Sequence, residues 1–297
     1  MRYLWLWVFA AVLWALSGQH ATAAEVKAAK YQVGKAVVWA IADSTGNRDT
    51  SVFSGAAPEV LAQYMPSGKS PTAVMAFLVK VGHETVLIDT GLGAPSGSRA
   101  SQLTAGLRQA ETPPEDVTLV LVTHMHGDHI GGLTQNGGRA FPSARVLSAK
   151  TEHDFWLDEK SPERFPSRKA GFEMARSVLG LYGSASETFE FDAIVASGIQ
   201  ALDARGHTPG HTAFLLESDG EKMLFWGDLV HAATLQFARP DINSQYDMNP
   251  EESAVTRTRF MEKAAAEKLP IAGAHLPFPG VGTVEKNPAG GYVYNSR

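Results

Sequence analysis

The chain of 297 residues contains no cysteine. Disulfide bonds, thiolate metal sites and cysteine nucleophiles are therefore excluded, and a bound metal ion would have to be held by histidine and carboxylate side chains. The sequence also lacks a Gly-x-Ser-x-Gly motif, which would indicate a serine nucleophile at a strand-to-helix turn. These absences remove the common covalent routes to hydrolysis and leave metal-dependent chemistry open.

An excess of positive charge is absent as well. The chain has 26 Lys and Arg against 31 Asp and Glu, for a formal net charge of −5, and no basic run interrupts it. Such a chain has no electrostatic reason to bind DNA or RNA, so we expect no nucleic-acid partner. With 44% hydrophobic and 19% charged residues, the composition is typical of a globular domain with a substantial core.

Long apolar runs are missing, apart from one at the N-terminus. Residues 4–16 form an uninterrupted apolar stretch, preceded by Arg2 and followed by Ala21-Thr22-Ala23, which fits the small-x-small rule for signal peptidase. The stretch is too short to span a bilayer comfortably. We therefore expect residues 1–23 to be a cleaved signal peptide and residues 24–297 to be a single periplasmic or secreted domain without stable membrane insertion. An uncleaved anchor or a misassigned start codon is the alternative.

The hydrophobic pattern mixes paired strands with separated helices, which favours two sheets with helices outside. The pattern predicts strands at residues 33–41, 73–81, 85–89, 118–122, 145–148, 212–217, 222–226 and 270–274. The strand at 270–274 is expected to be the last one and to end at His275. It predicts helices at residues 99–111, 151–157, 168–181 and 251–269, with a Thr151/Asp154 capping box on the second.

Histidine is concentrated in one short segment. His124, His126 and His129 lie within six residues, together with Asp128, in the sequence THMHGDH. In an extended chain, residues two apart point to the same side, so the rings of His124 and His126 can both reach one metal position. Gly127 allows the backbone to turn sharply, so that Asp128 and His129 can point back. The segment therefore predicts one loop that offers four ligands to two adjacent metal positions.

Further candidate ligands follow apolar segments elsewhere in the chain. His207 lies in GHTPGH, Asp228 ends MLFWGD, and His275 ends IAGAH. Side chains on loops at the ends of strands are held by a rigid sheet and often carry function. We therefore expect His207, Asp228 and His275 to join the THMHGDH segment in one metal site.

These motifs resemble the metal motifs of the metallo-β-lactamase superfamily, and LIDTG, which contains Asp89, is similar to the first motif of that family. The segments FPSARV, DFWL, GDLVHAATLQF and AHLPFPGVG resemble more closely the methyl parathion hydrolase branch, exported dinuclear enzymes that neighbour the acyl-homoserine lactone lactonases. The likeness extends over roughly residues 33–280. It implies an α+β fold, the αββα sandwich of two mixed sheets packed face to face with helices outside.

The resemblance also implies how the site is built. One metal ion would be bound by His124, His126 and His207, a second by Asp128, His129 and His275, and Asp228 would bridge the two. Asp89 and His211 would support the ligands through hydrogen bonds, and Trp156 would line the substrate pocket. Two divalent ions are implied, with Zn²⁺ favoured and Fe, Mn or Co as alternatives. A homodimer is compatible with the resemblance.

The expected function is hydrolysis of a small-molecule ester or lactone, with an acyl-homoserine lactone as the leading substrate. Two metal ions would activate a bridging hydroxide, polarise the substrate oxygen and stabilise the oxyanion, with Asp128 orienting the hydroxide. His231 follows Asp228 by three residues, where the related lactonases have a tyrosine. It would donate a proton or a hydrogen bond to the substrate, or else form part of the pocket wall.

Other functions remain open at this point. Arylester or organophosphate triester hydrolysis would use the same site, although the loop LGAPSGS after Asp89 lacks the bulky aromatic residue that the organophosphatases have there. β-Lactamase activity is less favoured, because the loops resemble those of the hydrolase branch more than those of β-lactamases. A mononuclear iron enzyme of the persulfide dioxygenase type is an alternative of another class, but one metal ion does not need seven ligand positions. A non-catalytic binding protein with this fold has no support, since every ligand position is filled.

Overall fold

The computed structural model of the chain describes residues 26–53, 55–93 and 102–297. The expected signal peptide lies outside the described residues, and so do the start of the helix predicted at 99–111 and most of the loop after Asp89. Within the described ranges, no helix is both long enough and apolar enough to cross a membrane.

The centre of the fold is built from β-strands. In chain order they are β1 (Ala28–Val33), β2 (Ala36–Asp49), β3 (Lys69–Val81), β4 (Glu84–Ile88), β5 (Leu119–Leu121), β6 (Thr134–Gln135), β7 (Gly138–Arg139), β8 (Arg145–Ala149), β9 (Ser186–Phe189), β10 (Ile194–Ala196), β11 (Ile199–Asp203), β12 (Thr212–Ser218), β13 (Glu221–Phe225), β14 (Ile271–Ala272), β15 (Val281–Lys286) and β16 (Tyr292–Ser296). In the part of the chain that the structure describes, β1-β2-β3-β4-β5-β8-β9 form one seven-stranded sheet and β10 to β16 form another. Most neighbouring strands are antiparallel, but β4, β5, β8 and β9 run parallel, and so do β13 and β14. Both sheets are therefore mixed.

Helices cover the outer faces of the two sheets. They are α1 (Pro58–Tyr64), α2 (Leu103–Gln109), α3 (Gly127–Ile130), α4 (Lys150–Leu157), α5 (Ser161–Arg164), α6 (Lys169–Tyr182), α7 (Ala233–Gln236) and α8 (Pro250–Glu267). The helices α2, α4 and α6 pack on the first sheet, in a core that contains Leu107 and Phe172. The helix α8 packs on the second sheet through Phe260 and Met261. The predicted αββα sandwich is confirmed.

The strand β3 shows why the central strands are apolar throughout. Met75, Phe77 and Val79 point into the core between the sheets, while Ala76 and Leu78 point into the core under the helices. Successive side chains of a strand alternate between faces, so a strand buried on both faces is continuously apolar. The two sheets meet directly at this layer, where the rings of Phe77 and Phe225 lie 5.4 Å apart.

The strand predicted at residues 33–41 is wrong in its start. The chain turns at Gly34, so that β1 and β2 form a hairpin, and the apolar pattern continues across the turn. Gly34 has φ +55°, and a Cβ atom there would lie only 1.8 Å from the carbonyl oxygen of Ser218 in the second sheet. Glycine is needed at this position for both reasons.

Two further predictions about local structure differ from the fold. The helix α4 begins at Lys150 without a side-chain cap, and Asp154 contacts the Lys150 ammonium, so the Thr151/Asp154 capping box does not form. The strand before His275 is not the last one, because β15 and β16 complete the sheet beside it.

The candidate ligands lie just beyond the ends of strands that meet at one edge of the sandwich. Asp89 follows β4 and His124 follows β5, and these two strands are parallel neighbours. Asp228 follows β13 and His275 follows β14, which are parallel neighbours in the second sheet. Because parallel neighbours end at the same edge, the fold brings together residues that are far apart in sequence.

Candidate metal centre

Four side chains converge at the first position. His124 Nε2 and His207 Nε2 each lie 3.0 Å from His126 Nδ1. Asp228 Oδ2 lies 3.3 Å from His207 Nε2 and 3.6 Å from His124 Nε2. With metal–ligand bonds of about 2.0–2.1 Å, atoms at the corners of a tetrahedron are about 3.3 Å apart. The four atoms therefore have the spacing of a tetrahedral metal site.

A second group adjoins the first and shares Asp228 with it. His129 Nε2 lies 3.1 Å from Asp228 Oδ1, and His275 Nε2 lies 3.1 Å from Asp228 Oδ2. The Asp128 carboxylate lies 3.3 Å from His275 Nε2 and 3.8 Å from His129 Nε2. The structure thus brings together all seven side chains that the sequence singled out, in two groups with Asp228 between them.

The unsatisfied atoms of the cluster fit a divalent metal ion. His129 Nε2 and Asp228 Oδ1 are buried, and neither makes a hydrogen bond. A buried polar atom without a partner costs roughly 1–3 kcal/mol, and a cation between these two atoms would satisfy both. The ligand atoms are imidazole nitrogens and carboxylate oxygens, a set suited to Zn²⁺, Fe, Mn or Co.

The electrostatics of the cluster also favour a cation. Burial would raise the pKa of Asp228, but the surrounding histidines, His129 foremost, hold it well below its usual range. Burial keeps the pKa of both His124 and His126 well below the usual value, so these rings are neutral and have a free lone pair. Burial opposes protonation of His275 too, yet Asp228 raises the pKa of His275 to about 9. The ionised carboxylate therefore attracts positive charge to this point.

A cavity of about 320 Å³ opens over the cluster. Besides ligand side chains, the described residues that line it are Arg48, Gly127, Arg168, His231 and Tyr246. His231 Nε2 lies 3.2 Å from Asp228 Oδ2, and neither ring nitrogen of His231 has a hydrogen-bond partner. Burial lowers the pKa of His231 to about 4. The structure thus places a neutral imidazole between the Asp228 carboxylate and the cavity.

The family model of the metallo-beta-lactamase superfamily matches residues 70–275, more than half of the chain. The chain belongs to the metallo-β-lactamase superfamily. The matched range contains every candidate ligand from His124 to His275, as well as Asp89.

Solved structures of superfamily proteins have the same fold. The hydrolase AbOPH is 30% identical in sequence, with a TM-score of 0.85 over 92% of this chain and 98% of its own. AidC, described as a dizinc quorum-quenching lactonase, is 24% identical, with a TM-score of 0.82 over the same shares of the two chains. At that identity the likeness to AidC shows the fold alone.

Curated relatives in the superfamily include enzymes with two kinds of activity. The human acyl-coenzyme A thioesterase MBLAC2 is 30% identical over 169 residues, which are 54% of this chain. An N-acyl homoserine lactonase from Bacillus sp. is 23% identical over 165 residues, which are 49% of this chain. Each match spans 59% of the length of the relative.

Asp89 supports one of the histidines of this superfamily site. Its Oδ2 atom lies 2.8 Å from His129 Nδ1 and accepts a hydrogen bond of 2.7 Å from Thr123 Oγ1. Its Oδ1 atom accepts a hydrogen bond of 2.8 Å from the Thr123 backbone. A carboxylate on Nδ1 directs the Nε2 lone pair of a histidine toward a metal ion. Asp89 is thus placed to orient His129.

His211 supports the backbone of Asp228. His211 Nδ1 donates to the carbonyl oxygen of Ala204 at 2.9 Å, which leaves Nε2 to accept from the Asp228 backbone at 3.0 Å. Gly227, just before Asp228, has φ +56°, and a Cβ atom there would lie 2.5 Å from His211 Nε2. Glycine is therefore required at position 227 by backbone conformation and by the histidine against it.

Asp247 was not predicted from the sequence, although it contacts a candidate ligand. Its Oδ1 atom lies 2.8 Å from His207 Nδ1. Its Oδ2 atom accepts from the Ser244 backbone at 2.8 Å and lies 3.3 Å from Arg257 Nη2. Asp247 stands in an irregular loop before α8, and no spacing in the sequence relates it to His207.

Glu152 is the second residue that sequence reasoning missed. This buried carboxylate accepts four hydrogen bonds of 2.6–2.9 Å, from Met125 N, Trp156 Nε1, Thr208 Oγ1 and Gly210 N. Burial raises the pKa of Glu152, and these hydrogen bonds oppose that rise. Glu152 thereby ties the loop that carries His124 and His126 to the loop that carries His207. The sequence offered one signal for this role, because Glu152 precedes Trp156 by four residues on one helix and the two side chains are therefore neighbours.

Trp156 does not line the cavity, contrary to the prediction. Its side chain is only 1% exposed and packs against Phe172, with ring centroids 4.7 Å apart. The rings of Trp156 and His126 are nearly perpendicular, with centroids 5.6 Å apart, and the indole N–H donates to Glu152. Trp156 is a core residue beneath the ligands, because α4 presents this face to the first sheet.

Proposed function

We propose that the protein is a metal-dependent hydrolase that cleaves a small-molecule ester or lactone, with an acyl-homoserine lactone as the leading candidate. The proposal rests above all on the shared position of Asp228, whose two oxygens lie 3.1–3.6 Å from ligand nitrogens of both groups. One carboxylate between two groups of ligands favours a pair of ions, with Zn²⁺ leading. We also propose export through residues 1–23 to the periplasm or the medium.

Two bound divalent ions would supply Lewis acidity and a water molecule of lowered pKa. The side chains of this protein would do the rest. Asp128, half-exposed at the cavity, offers a carboxylate oxygen beside the reacting centre. His231 presents unused ring nitrogens there and would donate a hydrogen bond to the substrate carbonyl or leaving oxygen. A cavity of about 320 Å³ suits a compact group near the cluster.

Thioester hydrolysis is a second candidate. The human acyl-coenzyme A thioesterase is more similar in sequence than the Bacillus lactonase, at 30% against 23% identity. Thioesters and lactones share an acyl carbonyl that water attacks, so the same cluster could serve both.

Metal analysis and a substrate panel test the proposal. We expect about two divalent ions per chain in the protein from residue 24 onward. Lactone or ester turnover should disappear after dialysis against a chelator and return with added Zn²⁺, Mn²⁺ or Co²⁺. The panel contains a long-chain and a short-chain homoserine lactone, an aryl ester, an acyl thioester, a phosphotriester and nitrocefin. One iron per chain without hydrolysis of any member would contradict the proposal and favour an oxygenase.

Substitution of His231 by phenylalanine tests its role separately. The new ring can occupy the same space against His275 and Tyr246, which lie 5.2 and 5.6 Å away, but it has no nitrogen. We expect kcat/KM to fall about 100-fold, the effect of losing a positioned proton or hydrogen-bond donor, at an unchanged metal content. His83→Phe, in the exposed turn after β3, is the control. Loss of a metal ion in His231→Phe would instead make His231 a ligand.

A further inference from the structure

Two arginines stand at the cavity over the metal centre. Arg48 lies near the end of β2, and Arg168 immediately precedes α6; both are half-buried and both line the cavity. Among the described residues, neither guanidinium forms an ion pair with a carboxylate. Burial lowers the pKa of Arg168 and the charge of Asp247 opposes this, but no carboxylate in the described ranges pairs directly with either guanidinium. A half-buried cation without a direct partner is costly.

Arg48 is held toward the cavity by Tyr246. Its Nη1 atom donates to the Tyr246 hydroxyl at 3.3 Å, and the guanidinium lies over the Tyr246 ring at 5.3 Å. Arg48 Nε is buried and has no hydrogen-bond partner. Because the Tyr246 oxygen accepts from Arg48, the hydroxyl hydrogen remains available to a ligand.

Arg168 has one acceptor and one ring nitrogen of a candidate ligand beside its guanidinium group. Its Nη2 atom donates to the carbonyl oxygen of Tyr246 at 3.0 Å, while Nη1 lies 3.3 Å from His126 Nε2. If His126 Nδ1 binds a metal ion, the neutral ring has its proton on Nε2. A guanidinium has only donor groups, so Arg168 and His126 then face each other as two donors. An oxygen atom bearing negative charge beside both N–H groups would then relieve this contact between two donors.

We propose that Arg48, Arg168 and Tyr246 form a binding site for a carboxylate, so that within the proposed class of esters and lactones the preferred substrate is a small one with a free carboxylate group, in place of an acyl-homoserine lactone, which has none before its ring opens. Guanidinium groups bind carboxylates through paired, charge-assisted hydrogen bonds. The inference rests on the proposed function for its metal ions and its hydrolytic step. In that step water adds to the acyl carbon, the bond from this carbon to the ester oxygen breaks, and the leaving oxygen takes a proton and becomes a hydroxyl group. The product of a lactone that carries a carboxylate is a hydroxy acid with two carboxylates.

A matched pair of lactones tests the inference by rate. The γ-lactone of 2-hydroxyglutarate has a free carboxylate, and its carboxamide is neutral and of nearly the same size. We expect kcat/KM for the carboxylate to exceed that for the amide at least about tenfold. Arg48→Gln and Arg168→Gln should each lower this preference about tenfold, and Arg48→Lys should retain part of it. Arg108→Gln, at an exposed arginine on α2, is the control that leaves the preference unchanged.

Calorimetry provides a readout that does not depend on turnover. The ring-opened product 2-hydroxyglutarate should bind the metal-loaded protein about ten times more tightly than 4-hydroxybutyrate, which lacks the second carboxylate. Arg48→Gln should remove the difference, while metal content stays that of the parent protein. Equal binding of both acids, or a preference that survives both arginine substitutions, would overturn the inference.

The two proposals fail in different ways. Turnover of both lactones at equal rates would leave the hydrolase intact and overturn the carboxylate site. Tight binding of 2-hydroxyglutarate that depends on Arg48, without turnover of any lactone, would support the carboxylate site and count against the lactonase.

Discussion

Asp228→Asn is expected to lower kcat/KM for the best substrate at least about 1,000-fold, because the Lewis acidity of the metal ions contributes several kcal/mol to transition-state stabilisation. Asp228 Oδ1 lies 3.1 Å from His129 Nε2, and Oδ2 lies 3.1–3.3 Å from Nε2 of His275 and His207. An amide keeps the size but removes the charge and one acceptor. We expect metal content, measured by elemental analysis, to fall from about two ions per chain to one or none.

Asp219→Asn is the matched control for this substitution. Asp219 lies in the turn between β12 and β13, its side chain is 56% exposed, and its φ of +51° suits asparagine equally well. The metal content and activity of Asp219→Asn should be those of the parent protein. If Asp228→Asn kept both metal ions and most of its activity, Asp228 would not be the bridge between the two groups.

Glu152→Ala is expected to have the largest effect on stability, lowering the free energy of unfolding by about 4 kcal/mol. The substitution leaves four buried donors without an acceptor, two of them backbone N–H groups of Met125 and Gly210. For a chain of this size the midpoint of thermal unfolding should fall by about 8–16 °C. Equilibrium unfolding in urea, at matched metal content, measures the free energy directly.

Two further variants separate the hydrogen bonds from the mere loss of a side chain. Glu152→Gln retains one acceptor oxygen, so we expect about half of the destabilisation of Glu152→Ala. Glu173→Ala, at a 63% exposed position on α6, should change the free energy of unfolding by less than about 0.5 kcal/mol. A loss below about 1 kcal/mol in Glu152→Ala would mean that the two ligand loops do not depend on this carboxylate.

Much of the metal centre could be predicted because its residues are marked by local patterns. His124, His126, Asp128 and His129 share one loop, and glycine at position 127 permits the turn between them. The candidate ligands elsewhere each follow an apolar segment, and such segments are recognisable from composition alone. The likeness of these motifs to a known superfamily then supplied the arrangement, and the superfamily and the sandwich are confirmed.

Burial that conflicts with residue type leaves no signal in the sequence. Arg257 on α8 is buried, although a hydrophobic pattern counts arginine as polar. Its guanidinium is buried because it donates to the carbonyl oxygens of Leu229, Pro240 and Ile242 and contacts Asp247. A buried charge of this kind is stabilised only by partners that come from distant loops, which no local window of sequence contains.

The sequence alone therefore determined the types of ligand, their grouping in one loop, the strands that hold them and the absence of a thiol. Only the tertiary structure showed that Glu152 and Asp247 support the ligand loops, that Trp156 lies beneath the site, and that Arg48 and Arg168 face the cavity. The physical reason is range. A motif is read from neighbours in the chain, whereas a hydrogen bond or a cavity wall joins residues whose separation in sequence carries no signal.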